Sequence, residues 1–357
     1  TVRVWTIQAP KPFLVDRPVR HKGIVRDVRF SPAGDRIVTA SEDGTAIVKD
    51  LKTNSSYALG SPDGKLTAAV FDPAGTSIVT GSAKGTLHIW DTQTRSSQSI
   101  SAHKGEIWAL VFSPDGKQLL TASEDGTAKI WEFGSRKFLY AIDAHKGPVR
   151  SAAFSPNGVL IATGYLNKVT LLWDAKTGKP APRPSAAFGV HTGTIRSVTF
   201  SPDGKLLLTA SADSTIKIWD LKTGEFRRMA DGGDAGSFRS ALFSADGKRV
   251  VTGSDAGAVQ IWEWSSGKLT RELASKGAAA WKAVFSPDDE LVAIASADGT
   301  ASVWRIPTVL QMVDEAKAIV PRCLAPDERS RRFLASAPPA WCDMKWPFNT
   351  PELKDFR

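Results

Sequence analysis

The chain has 357 residues, 42% hydrophobic and 23% charged, and no apolar run approaches the roughly 20 residues that a membrane-spanning helix needs. That balance excludes wholesale disorder, and two cysteines are too few for a disulfide scaffold or a four-thiolate zinc site. A net charge of +9 favours acidic partners or nucleic acid.

In chain order, Thr1-Val2-Arg3-Val4-Trp5 opens in mid-pattern and without an initiator Met. Residues 1–12 are therefore expected to be the remnant of a preceding repeat or propeller, and the chain a piece of something longer. A repeat then governs everything to residue 305. Phenylalanine recurs at Phe30, Phe71, Phe112, Phe154, Phe200, Phe243 and Phe285. Nineteen residues after each stands Lys49, Trp90, Trp131, Trp173, Trp219, Trp262 or Trp304. The spacings of 41, 41, 42, 46, 43 and 42 match one four-stranded propeller blade of roughly 40–45 residues.

Repeat three spells out the blade. Ile107 to Phe112 is an apolar inner strand, and Ser113-Pro114-Asp115-Gly116 a turn with Pro at its second position and Gly at its fourth. Gln118 to Ser123 and Thr127 to Trp131 are two further strands, and residues 136–142 a more polar outer one. Ile107 and Leu110, like Val25 and Val28, are apolar but three apart, which breaks period two. A bulge between them would aim the intervening residue out of the sheet.

These residues resemble the WD-repeat family of β-propellers. The motifs are Ala102-His103-Lys104-Gly105 opening a repeat, then Ser-Pro-Asp-Gly, Asp-Gly-Thr and a closing Ile-Trp-Asp or Ile-Trp-Glu, over residues 1–305. The resemblance implies an all-β, seven-bladed ring over residues 13–305. Residues 13–19 would supply the outer strand of the blade whose inner strands lie at 281–305. It also implies that His, Ser, Asp and Trp form a hydrogen-bonded structural chain, complete as His103, Ser123, Asp125 and Trp131 and as His191, Ser211, Asp213 and Trp219. His21 and His145 hold the same repeat position, but Lys49 replaces Trp in repeat one, and repeat four has Tyr165 and Asn167. Because this set is reiterated, it reads as structure and not as a catalytic triad. His88 is expected at the surface or between blades. No cluster has metal-ligand spacing, no glycine loop fits a phosphate cradle, and no cofactor is expected.

Four residues before each Phe, within the suspected bulge, stand Arg26, Thr67, Trp108, Arg150, Arg196, Arg239 and Trp281. In the family this position projects onto the top face around the channel mouth. Arg and Trp are both enriched in binding hot spots. Arg26, Trp108, Arg150, Arg196, Arg239 and Trp281 are therefore the candidate partner surface, with acidic positions nearby at Glu42 and Glu124. The expected partner is a protein or peptide, including another domain of the same polypeptide. A nucleic acid on the same basic face is the alternative, and no membrane is expected. The enzyme reading would rest on Glu106 and Asp27 at the mouth, which lack a credible catalytic partner, so a non-catalytic scaffold is expected.

The proline-rich insertion Lys179-Pro180-Ala181-Pro182-Arg183-Pro184 reads as an extended exposed loop on the outer-strand side. After Arg305 the repeat stops, and residues 306–357 are expected to form a helical and irregular tail packed on the ring. Val309, Met312, Val313, Ala316 and Val320 have helical spacing there, and Cys323 and Cys342 are either bonded or small buried apolar residues. This tail resembles the C-terminal end of large bacterial multidomain WD-repeat proteins. That implies the sensor or docking part of a signalling or defence protein, in the cytoplasm.

Overall fold

The computed structural model describes residues 13–15, 17–181, 187–188, 191–274 and 277–306. The expected remnant at 1–12 and the tail with its helix and both cysteines lie outside the described residues.

Among the described residues, the strands form seven antiparallel sheets in a ring. Blade three is representative: Ile107–Phe112 innermost, then Gln118–Ser123, Thr127–Glu132 and Lys137–Asp143 at the rim. Its turn is held by the Ser113 hydroxyl, which accepts the Gln118 N–H at 2.9 Å and donates to Asp115 at 2.6 Å. Gly116 closes that turn at φ 71°, and a Cβ there would meet Pro73 of the neighbouring blade at 2.9 Å. Both the left-handed backbone and the close approach demand glycine.

Blade seven closes the circle. It comprises Ala280–Phe285, Leu291–Ser296 and Thr300–Arg305, and its outer edge is supplied by the start of the chain. Leu14 pairs with Trp304, and Val19 with Ala301, both antiparallel to the strand Thr300–Arg305. This pairing gives the last blade an outer edge like that of the others and ties it to the segment that precedes the first.

Period-two strands bury one side chain in two against each flanking blade, so the core divides into seven clusters, one between each adjacent pair. Between blades three and four, for example, Leu120, Ile130 and Ile142 meet Val149, Tyr165 and Trp173. Each fully buried Leu or Ile contributes about 1.5–3 kcal/mol.

The insertion of repeat four departs from an exposed loop at its start. Pro180 bridges back to Trp173, Ala181 is buried and donates its N–H to Leu172 at 3.0 Å, and pairing resumes at Ala187–Phe188 with Thr170–Leu171. Residues 180 and 181 thus continue the blade's outer edge before the interruption. Residues 182–186 lie outside the described residues.

Candidate functional site at the channel mouth

Every innermost hairpin carries a register shift at the same place. Pairing skips one residue between Val25 and Asp27, Leu66 and Ala68, Ile107 and Ala109, and Val149 and Ser151. The same skip falls between Ile195 and Ser197, Phe238 and Ser240, and Ala280 and Lys282. The residues skipped are Arg26, Thr67, Trp108, Arg150, Arg196, Arg239 and Trp281. The flanking Val25, Val28, Ile107 and Leu110 are buried, which is why the chain bulges: both apolar residues must face the core while standing three apart.

The bulges bring Arg26, Trp108, Arg150, Arg196, Arg239 and Trp281 to one opening. All six line an outer basin of about 320 Å³ and also the inner channel cavity of about 200 Å³ beneath it. Thr67 turns inward instead, its hydroxyl donating to the backbone oxygens of Gly81 and Ile107.

Most of the arginines are tied. Arg26 bonds Glu42, which Lys65 also approaches at 3.3 Å. Burial raises the Glu42 carboxyl, but Arg26 and Lys65 outweigh it and hold it below the usual range. Arg196 and Arg239 share Asp255, the former at 2.7 Å. Arg26 and Arg239 also stack on the Trp281 ring at 3.9 and 3.7 Å. Such contacts contribute from about 0.5 to 2 kcal/mol as they are desolvated.

Arg150 differs. Its guanidinium lies 5.0 Å from the Trp108 ring centre, and among the described residues it has no carboxylate within ion-pair distance. Burial, then repulsion from Arg26, Arg239 and Arg196, lowers it to about 10 against the opposing pull of Glu106. Glu106 in turn has a buried Oε1 without a hydrogen-bond partner among the described residues.

Asp255, Arg29 and Lys282 belong to this site but were absent from the candidate set. Asp255 has a sequence signal: it holds the tight-turn position of its repeat that Glu42 and Glu124 hold in theirs. Lys282 follows a bulge residue directly, as Asp27 does, and the two pair between the adjacent blades seven and one at 3.3 Å. Burial, with Arg29 next, lowers the Lys282 ammonium to about 8 despite Asp27. Asp27 also accepts backbone N–H groups from Val28 and, in the next blade, Ala69. It is a joint between blades.

The structural chain runs through different hydroxyls from those the sequence reading chose. The Trp131 indole N–H donates to Thr121 at 3.1 Å, Thr121 meets His103 Nε2 at 2.7 Å, and His103 Nδ1 meets Asp125 at 2.9 Å. Trp219, Thr209, His191 and Asp213 repeat this at 3.0, 2.8 and 2.9 Å. The partners assign the neutral tautomer with its proton on Nδ1. Ser123 instead donates to the Gly105 carbonyl and accepts the Asp125 N–H, which fastens the turn. The structure places Ser211 in the equivalent turn, accepting the Asp213 N–H at 3.1 Å. The reason is register: Trp131 pairs with Leu119, so its ring reaches Thr121 and not the strand end.

Burial outweighs Asp125 at His103 and lowers the imidazole to about 4. Burial also raises Asp125, but Thr127, the Lys104 N–H and His103 outweigh it and hold that carboxyl at about 2. His21 makes the same contacts with Thr39 and Asp43, while Lys49 in place of Trp donates to the Arg17 carbonyl at 2.7 Å. His145 takes no part: it is exposed and lies beside Asp143.

Of the two places expected for His88, the surface one is excluded, and its partners lie in the segment that links blades one and two. His88 is buried, and its Nε2 lies 2.9 Å from Asp63 and 3.3 Å from Ser61, in the loop where other repeats place the His. Blade two thus places an acid in that loop and an imidazole on its third strand, where blade three has Lys129, while Lys84 stands at the turn position of Asp125.

Seven antiparallel sheets around a central channel, six of four strands and a seventh whose outer edge is two short segments, define a β-propeller. Residues 106–337 match the family described as IFT122 first beta-propeller, and residues 16–50 and 54–91 match the WD domain, G-beta repeat. The chain belongs to the WD-repeat β-propellers, in the family of the IFT122 first beta-propeller. Comparison with curated proteins finds no match. WD-repeat propellers are generally non-catalytic scaffolds that bind proteins.

Proposed function

We propose that this propeller is a non-catalytic interaction module that docks a protein or peptide at the channel mouth. Arg26, Trp108, Arg150, Arg196, Arg239 and Trp281 form its contact surface. The observation that supports this is the convergence of four arginines and two tryptophans, one per bulge, on a single basin. Arg150 over Trp108 is the hot spot, since the other three arginines already spend hydrogen bonds or charge on Glu42 and Asp255. The docked partner is a separate protein or another domain of the same polypeptide, consistent with a sensor role in a bacterial signalling or defence protein. Nucleic acid fits less well, because tracking a phosphate backbone needs mobile, exposed cations and this basin ties most of its arginines down.

The test is capture from cell lysate, with and without nuclease, using the wild-type chain and a Trp108→Ala/Arg150→Gln variant. Glutamates at 196 or 239 would face Asp255 and disturb the fold, so neutral changes at 108 and 150 isolate binding. A nuclease-resistant protein held by the wild type and lost by the variant is expected. Equal capture by both, or recovery of nucleic acid alone, overturns the reading.

A further inference from the structure

The channel beneath the mouth shares arginines with the docking surface and adds Arg29, Lys282 and Asp27, which docking does not use. Six cations line its cavity, Arg26, Arg29, Arg150, Arg196, Arg239 and Lys282, against two carboxylates, Asp27 and Glu106. Glu42 and Asp255 at the rim reduce the excess, and two positive charges remain. Asp27 is divided between Lys282 at 3.3 Å and Arg29 at 3.7 Å, the latter beyond hydrogen-bond reach.

Donors also outnumber acceptors. The Arg29 Nε–H and the Trp281 indole N–H are buried without partners among the described residues, and both side chains line the cavity. Ser151 and Ser240 accept N–H groups from Val198 and Ala283 of the next blades, which leaves their own hydroxyl protons free to donate. Among the described residues of this wall, Glu106 Oε1 is the carboxylate acceptor left without a hydrogen-bond partner. Water could satisfy donors but not charge. The cavity, about 200 Å³, has room for a compact ion with several waters but not for a folded element. Oxoanion oxygens are acceptors, and guanidinium groups bind them in bidentate fashion.

We infer that the channel is a binding site for a phosphate-type oxoanion, held by Arg29, Arg150 and Lys282 with the Trp281 N–H. This stands apart from docking at the rim, since inorganic phosphate alone reports it.

Isothermal titration of the whole chain with inorganic phosphate, at ionic strength held constant with chloride, is expected to show saturable binding to one site. Arg150→Gln and Lys282→Gln each weaken it roughly tenfold or more, the loss expected for a hydrogen bond to a charged group. Trp281→Phe keeps the ring between Arg26 and Arg239 but removes the N–H, and weakens binding roughly threefold. Circular dichroism and a melting curve verify that each variant is folded. An O-phosphoserine arm separates the sources. Tighter binding than phosphate assigns the group to a larger molecule, and equal or weaker binding assigns it to the free ion. No saturable heat beyond chloride, or unchanged affinity in folded Arg150→Gln and Lys282→Gln, overturns the inference.

Discussion

Blades three and four share a strand plan and the packed interface between them, yet they are locked differently. Blade three runs an unbroken chain from Trp131 through Thr121 and His103 to Asp125. Blade four keeps only the first link, Trp173 to Thr163 at 2.7 Å. Its His145 is exposed, Asn167 is exposed, and Tyr165 is buried with a hydroxyl that lacks a partner among the described residues. Blade four nevertheless holds its sheet, because Tyr165 and Trp173 pack into the same cluster as Leu120 and Ile130. Apolar packing between blades is therefore sufficient for the sheet, and the polar chain fixes the loop that enters it.

The largest break in that comparison is Asp125→Ala. It leaves the His103 ring and the Lys104 and Thr127 N–H groups without their acceptor, and should cost about 3 kcal/mol in denaturant unfolding. Asn167→Ala at the matching place in blade four should stay within about 0.5 kcal/mol. Next comes Thr121→Val, which removes the shared link between indole and imidazole and should cost about 1–2 kcal/mol, measured the same way.

Acid provides a third test. His103 is held at about 4 in the folded ring, below its ordinary 6.5, so the unfolded chain binds the proton more readily. Its contribution is complete above pH 6.5 and is lost as pH falls from 6.5 toward 4. His21 and His191 shift in the same direction. The melting temperature should fall across that window, and His103→Gln should flatten the fall. The smallest effect is Tyr165→Phe. Its hydroxyl makes no hydrogen bond of good geometry among the described residues, so stability should change by less than about 1 kcal/mol, in either direction.

The ring itself was legible in the sequence, because blade spacing, turn chemistry and the apolar pairs such as Ile107 and Leu110 are all local patterns. The bulge residues were legible for the same reason. What lay beyond the sequence depends on register. Thr121 and Ser123 are both hydroxyls on one face of one strand, and only pairing with the third strand says which the indole reaches. Asp255 escaped because its role appears only when two bulges close on one carboxylate. His88 escaped because its contact joins the third strand to Asp63 in the loop 25 residues earlier, a pair that the repeat pattern of the other blades does not contain.

The most direct test of the docking mouth is site-specific photo-crosslinking. A photoreactive residue at Leu166, which lines the outer basin, is compared with one at Pro114, in the turn at the opposite end of its innermost strand. Docking at the mouth predicts partner crosslinks from 166 and none from 114. Crosslinks from 114 alone would place the partner on the other face and contradict it.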